Sequence, residues 1–189
     1  MYLYLLPLAS PSSSSSAESI GATSITIKHE TVIPTPTHDG GIEHTAARFL
    51  PAVTWLDMAR SGEIILFPPQ FFLLYQSSQF LKPATTNSLS AAQLQEQRNQ
   101  LLEFIKTDEP PWSDKVISPE TLMKRESDGR LALGLGKPGK ELEGTGRKGA
   151  KDWVVLLEFK KEGPRRLEVT TRQELFESEK NFKRLQEKL

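Results

Sequence analysis

The stretch from Trp153 to Thr171 constrains the fold more than any other. Trp153, Val155, Leu157 and Phe159 occupy every second position, Gly163-Pro164 breaks the run, and Leu167, Val169 and Thr171 alternate on the way back. Successive side chains of a strand point to opposite faces, so the pattern predicts a β-hairpin with one apolar face. A lone hairpin is marginal in water, so this one needs further strands or a helical layer. Lys115–Ile117 and Arg130–Leu135 read as short strands. Residues 173–189 read as a polar helix with Leu175, Phe176, Phe182 and Leu185 loosely on one side.

Upstream the period changes. Pro51 to Arg60 reads as a short helix stopped by Ser61-Gly62. Ile64 to Phe67 is a compact apolar segment. Pro68-Pro69 then suits a helix start, because proline in the first turn gives up no needed N–H. Phe71, Leu74, Tyr75, Ser78 and Leu81 fall at helical spacing, which predicts a core-facing helix over 70–81. Another begins near Ser90, where Gln93 completes a capping box. Its stripe is Leu94, Leu101, Leu102 and Ile105, and Pro110-Pro111 stop it. The class is therefore mixed, α/β or α+β.

Composition removes whole classes of function. The chain has 189 residues, no cysteine and three histidines, at positions 29, 38 and 44. That excludes disulfides, thiol catalysis and Cys-ligated metals, and no His spacing suits a His-rich metal site. With 24 basic and 24 acidic residues the net charge is +0, a poor basis for binding nucleic acid or a membrane surface. The charges are uneven, however: residues 1–90 hold 4 basic and 6 acidic, leaving 24 − 4 = 20 and 24 − 6 = 18 for the rest.

The N-terminus, Met1 to Leu8, is apolar but lacks a basic start and is broken by Pro7, so a strand is favoured over a signal peptide. Residues 9–37 are Ser-, Thr- and Pro-rich and read as a flexible insertion, in which Ile25 to Val32 could form one short strand. Two glycine patterns mimic phosphate loops. Gly134 to Lys140 fits the first part of a Walker motif, but Glu141 stands where Ser or Thr should hold Mg²⁺. Gly144-Thr-Gly-Arg-Lys-Gly149 has a strand after it where a dinucleotide motif needs a helix. Both read as one loop between strands. The loop is basic: Lys137, Lys140, Arg147, Lys148 and Lys151 against Glu141 and Glu143. Lys160, Lys161, Arg165 and Arg166 form a second basic set. Arg147 and Lys148 are the candidate contacts to a substrate or an anionic partner.

The segment His38-Asp-Gly-Gly-Ile-Glu-His-Thr-Ala-Ala-Arg-Phe-Leu50 runs on into Pro51–Arg60 and Gly62-Glu-Ile-Ile-Leu-Phe-Pro-Pro-Gln-Phe-Phe-Leu-Leu74. Together they resemble the later half of a Nudix hydrolase domain, in the fungal branch related to acyl-coenzyme A diphosphatases. Ala47 to Pro51 is similar to the family strand that leads into a short helix, and Leu66 to Phe71 to the entry of its last helix. Met1 to Leu8 resembles the strand after the Nudix box, and 110–175 a C-terminal extension. The resemblance implies part of an α/β/α sandwich over 1–85, and a helix with a hairpin-containing extension over 86–189. It also implies an intracellular, Mg²⁺- or Mn²⁺-dependent pyrophosphohydrolase of nucleoside diphosphate-linked substrates, coenzyme A derivatives among them. Cytoplasm, mitochondrion and peroxisome stay open.

The family's box, G-x5-E-x7-R-E-U-x-E-E-x-G-U, is absent. The chain has no Glu-Glu pair, and its one Arg-Glu pair, Arg125-Glu126, runs into Ser127-Asp128-Gly129. The box helix gathers the carboxylates that hold the metal. The expectation is a truncated chain that begins after the box and is inactive alone, with no metal ligands of its own. Glu43 is the one position where a catalytic carboxylate outside the box could carry over; its alternative is an ordinary polar strand residue. The rival function is a non-catalytic interaction module that uses the basic loop 137–151.

Overall fold

In a computed structural model, residues 24–26, 32–34, 50–82 and 89–187 are described. The first elements are β1 (Ser24–Thr26) and β2 (Val32–Pro34), an antiparallel pair in which Thr26 faces Val32. The segment expected as one strand from Ile25 to Val32 is thus two strands, and the Ser/Thr/Pro-rich stretch contains a ladder.

Helix α1 (Ala52–Ser61) ends at Gly62, whose φ of 82° lets its N–H turn back to the Ala59 and Met58 carbonyls. A side chain is disfavoured at that angle, so glycine sets the stop. Helix α2 (Pro68–Ser78) begins on the two prolines, and the Phe67 N–H donates to Gln70 Oε1 at 3.0 Å. The helix starts two residues before the predicted span and ends three before it. Phe71 and Phe72 are fully buried. Helix α3 (Ala91–Thr107) has the expected box: Ser90 N–H donates to Gln93 Oε1 at 2.9 Å, and Gln93 N–H to Ser90 Oγ at 3.3 Å. Of its stripe only Leu101 is fully buried. Phe104 instead reaches the ring of Trp112, 5.9 Å away between centroids.

The sheet is a meander. Strands β3 (Glu120–Lys124), β4 (Leu131–Leu135), β5 (Ala150–Lys160) and β6 (Gly163–Thr171) pair antiparallel in chain order. The hairpin of β5 and β6 is the one the alternation predicts, with Val155 opposite Val169. Lys115–Ile117 forms no strand. The Val116 N–H donates to the Lys148 carbonyl and the Ser118 N–H to that of Lys137. The segment thus crosses the base of the 136–149 loop, and the first strand starts at Glu120.

Each face of the sheet carries helices. On one, Leu133, Leu135, Val155, Leu157 and Leu167 pack with Leu56, Ala59, Phe71 and Phe72 of α1 and α2. Those residues come from both sides of the residue 85 join, so one core spans it. Apolar burial at about 25 cal/mol per Å² makes this face the main source of cohesion. Trp153 closes it, with its ring 5.9 Å from Phe72 and 6.0 Å from Tyr75. On the other face Ala132, Val154 and Leu156 meet Leu175 of α4 (Arg172–Gln186). Helix α4 starts on a Thr171–Glu174 capping box. Its buried positions are Leu175 and Glu179, while Phe176 and Leu185, expected on the apolar side, are 51% and 63% exposed. Residues four apart share a helix face, so burying Leu175 buries Glu179 and turns Phe176 outward.

Candidate functional site

Two clusters of charged residues stand out. The first involves the 136–149 loop, whose base is closed by the Gly149 N–H donating to the Gly136 carbonyl at 3.0 Å. Gly149 is obligatory there, because an added Cβ would land on the Leu135 carbonyl oxygen. Lys140–Leu142 forms a single 3-10 turn. Thr145 then folds back, donating its N–H at 3.2 Å and its hydroxyl at 2.6 Å to the Leu142 carbonyl. Gly144 and Gly146 flank it at φ of 81° and 76°. No α-helix follows either glycine pattern, and β5 starts directly after Gly149. That is the order expected of a connecting loop.

This geometry carries Arg147 and Lys148 to the rim of a groove of about 430 Å³. The turn after α3 also lines it, through Glu109, Pro110 and Asp114. That turn is pinned from within. The Lys115 side chain is only 3% exposed, its Nζ lies 3.1 Å from Asp108 Oδ2, and it sits 5.5 Å from the centre of the Trp112 ring. Burying an ammonium is costly unless it is paired, and here a carboxylate and an aromatic face share it. Lys137 of the same loop is spent on Glu120, at 2.9 Å. By contrast, among the described residues the side chains of Arg147, Lys148 and Glu109 make no ion pair or hydrogen bond. Asp114 accepts only from its neighbour Ser113, at 3.2 Å. The sequence places the two cations; Glu109 and Asp114 were missed, because nothing in their spacing ties them to a loop over thirty residues on.

The second cluster was also missed. Glu179 of α4 is 4% exposed. Its carboxylate accepts from Arg125 Nε at 3.1 Å, Ser127 Oγ at 2.7 Å and the Glu126 N–H at 2.8 Å. Asp128 accepts from Arg125 Nη1 at 3.1 Å and from Arg130 Nε at 2.6 Å and its N–H at 3.1 Å. Arg130 reaches on to Glu168 at 2.7 Å. Burial pushes both carboxyls up, but the backbone and side-chain donors, with the guanidinium charges, outweigh it and hold each below the usual carboxylate range. The Arg125-Glu-Ser-Asp-Gly129 turn is therefore a lock between the sheet and α4. The spacing of Glu179 from Leu175 was the available signal.

Glu43 lies outside the described residues, as do His38, Asp39 and His44. Among the described residues, no three His, Asp or Glu side chains gather to hold a metal ion, and no helix is long and apolar enough to cross a membrane. The chain matches no protein-family model, no curated protein and no solved structure.

Proposed function

We propose that the chain is a Nudix-type protein that recognises nucleoside diphosphate-linked substrates, coenzyme A derivatives among them, and does not hydrolyse them by itself. The observation that carries the reading is the run from Pro51 to Leu74. It folds as a short helix, a left-handed glycine stop and a helix entered on Pro68-Pro69, in the order that the resemblance implies. The general α+β class is compatible with the reading, but the sheet with helices on both faces spans 120–171, the segment that the resemblance gives to the extension.

The lack of hydrolysis follows from the missing box. The Mg²⁺ or Mn²⁺ that the resemblance implies does not fit the described carboxylates. The oxygens of Asp128 and Glu179 already accept from guanidinium, hydroxyl and amide donors, and two arginines stand where a cation would have to enter. The test is turnover of coenzyme A and of dinucleotides by the purified chain with Mg²⁺ or Mn²⁺. No release of nucleoside monophosphate is expected; steady turnover would refute the reading.

A second reading is favoured by the groove. In it the chain is a non-catalytic interaction module that binds through loop 137–151. It predicts salt-sensitive binding that disappears on charge reversal at Arg147 and Lys148.

A further inference from the structure

We infer that the groove between the turn after α3 and the 145–148 loop is a docking site for a polypeptide segment that carries acidic and basic side chains side by side. This rests on the second reading above and changes its partner: the site selects a dipolar segment and not a uniformly anionic one.

Two segments line the groove: one brings Arg147 and Lys148, the other Glu109 and Asp114. A purely anionic partner gains at the first and is repelled at the second. Charge interactions of equal size act in either direction, so the repulsion offsets the gain. A partner with both signs gains at each. The charges are also unspent, since none of the four makes an ion pair among the described residues, whereas Lys137, Lys160, Arg130 and Lys183 do.

The lining selects a polypeptide over a small molecule. Small-ligand sites typically bury about 70–90% of the ligand. Here six of the seven lining residues are exposed and only Pro110 is half-buried, so a small ligand would stay largely wet. A chain segment needs no such enclosure, because the protein that bears it makes contacts beyond the groove. The two lining segments are also fixed. Lys115 is buried under one, and the hydrogen bond from the Val116 N–H to the Lys148 carbonyl at 3.0 Å ties it to the other. Binding therefore orders few backbone atoms of the host.

The test uses the full chain and three fluorescein-labelled twelve-residue peptides, read by anisotropy: one with two Glu followed by two Lys, one with four Glu, one with four Lys. The mixed peptide should bind at least about tenfold more tightly than either other, and lose about tenfold between 50 and 500 mM NaCl as screening shortens. The double variant Arg147→Glu/Lys148→Glu should lose that preference, as should Glu109→Lys/Asp114→Lys. All four residues are on the surface, so an unchanged unfolding midpoint verifies each variant. If the four-Glu peptide binds as well as the mixed one and loses binding on reversal of Arg147 and Lys148, the dipolar site is refuted while the basic-loop reading stands. If no peptide binds, or if reversal changes nothing, both fail.

Discussion

Replacing Glu179 by Gln should unfasten α4 from the sheet. The carboxylate takes three hydrogen bonds, from Arg125 Nε, Ser127 Oγ and the Glu126 N–H, at a position 4% exposed. The amide retains one acceptor oxygen and turns an NH₂ toward groups that are themselves donors. At least one charged hydrogen bond is lost, at about 1.5–3 kcal/mol. Arg125, with a side chain 13% exposed, keeps only Asp128 as a charged partner. We expect about 2–3 kcal/mol at pH 7, and about 3–5 kcal/mol for Glu179→Leu, which removes the acceptor of all three donors. In urea that moves the unfolding midpoint down by about 1 M, given a slope of about 1–3 kcal/mol per M. The effect also has a pH signature. The folded carboxyl lies below its ordinary value, so its contribution is complete above the unfolded value of about 4.3 and vanishes as pH falls through the lower folded value. The deficit of Glu179→Gln relative to wild type should therefore shrink between pH 5 and the acid limit of folding. Glu141→Gln, on an exposed residue that makes no side-chain hydrogen bond or ion pair among the described residues, is the control. A midpoint shift no larger than the control's, or a deficit constant with pH, would refute the lock.

Three further substitutions test the local structure. Gly149→Ala should destabilise by several kcal/mol and disturb the start of β5, since its Cβ would overlap the Leu135 carbonyl and come within 2.9 Å of that of Val116. Gly146→Ala, where a Cβ would meet open space at φ 76°, should cost only about 1 kcal/mol; equal losses in denaturant midpoint would sink the close-approach argument. Ser90→Ala removes the acceptor for the Gln93 N–H and should cost about 1 kcal/mol, seen as faster amide exchange confined to the first turn of α3.

What could be read from the sequence depended on how local the signal was. The β5–β6 hairpin, the glycine stop of α1, the two prolines opening α2 and the Ser90 box are decided within a few residues, and all are found. The strand expected at 115–117 failed because its backbone groups bond to the far loop, at Lys137 and Lys148, and no window of sequence contains that pairing. Helix α4 shows the same limit in its side chains. Counting apolar residues placed Phe176 inward, whereas the turn at 125–129 supplies partners that make a carboxylate the better buried group. The site was half legible: Arg147 and Lys148 stand out as a basic pair, but Glu109 and Asp114 acquire meaning only when the fold brings them to the same groove.

The chain-order meander has a consequence for synthesis on the ribosome. Each strand pairing closes only a short loop, so the sheet can form as soon as its last strand emerges, with the speed that local topology allows. Helices α1 and α2 precede it. Phe72 is made 99 positions before Thr171 completes β6, a delay of roughly 5–20 s at about 5–20 residues per second. For that interval Phe71 and Phe72 have no sheet to cover them. A nascent chain arrested before β5 should be held by chaperones that bind apolar segments, and released once the hairpin is out.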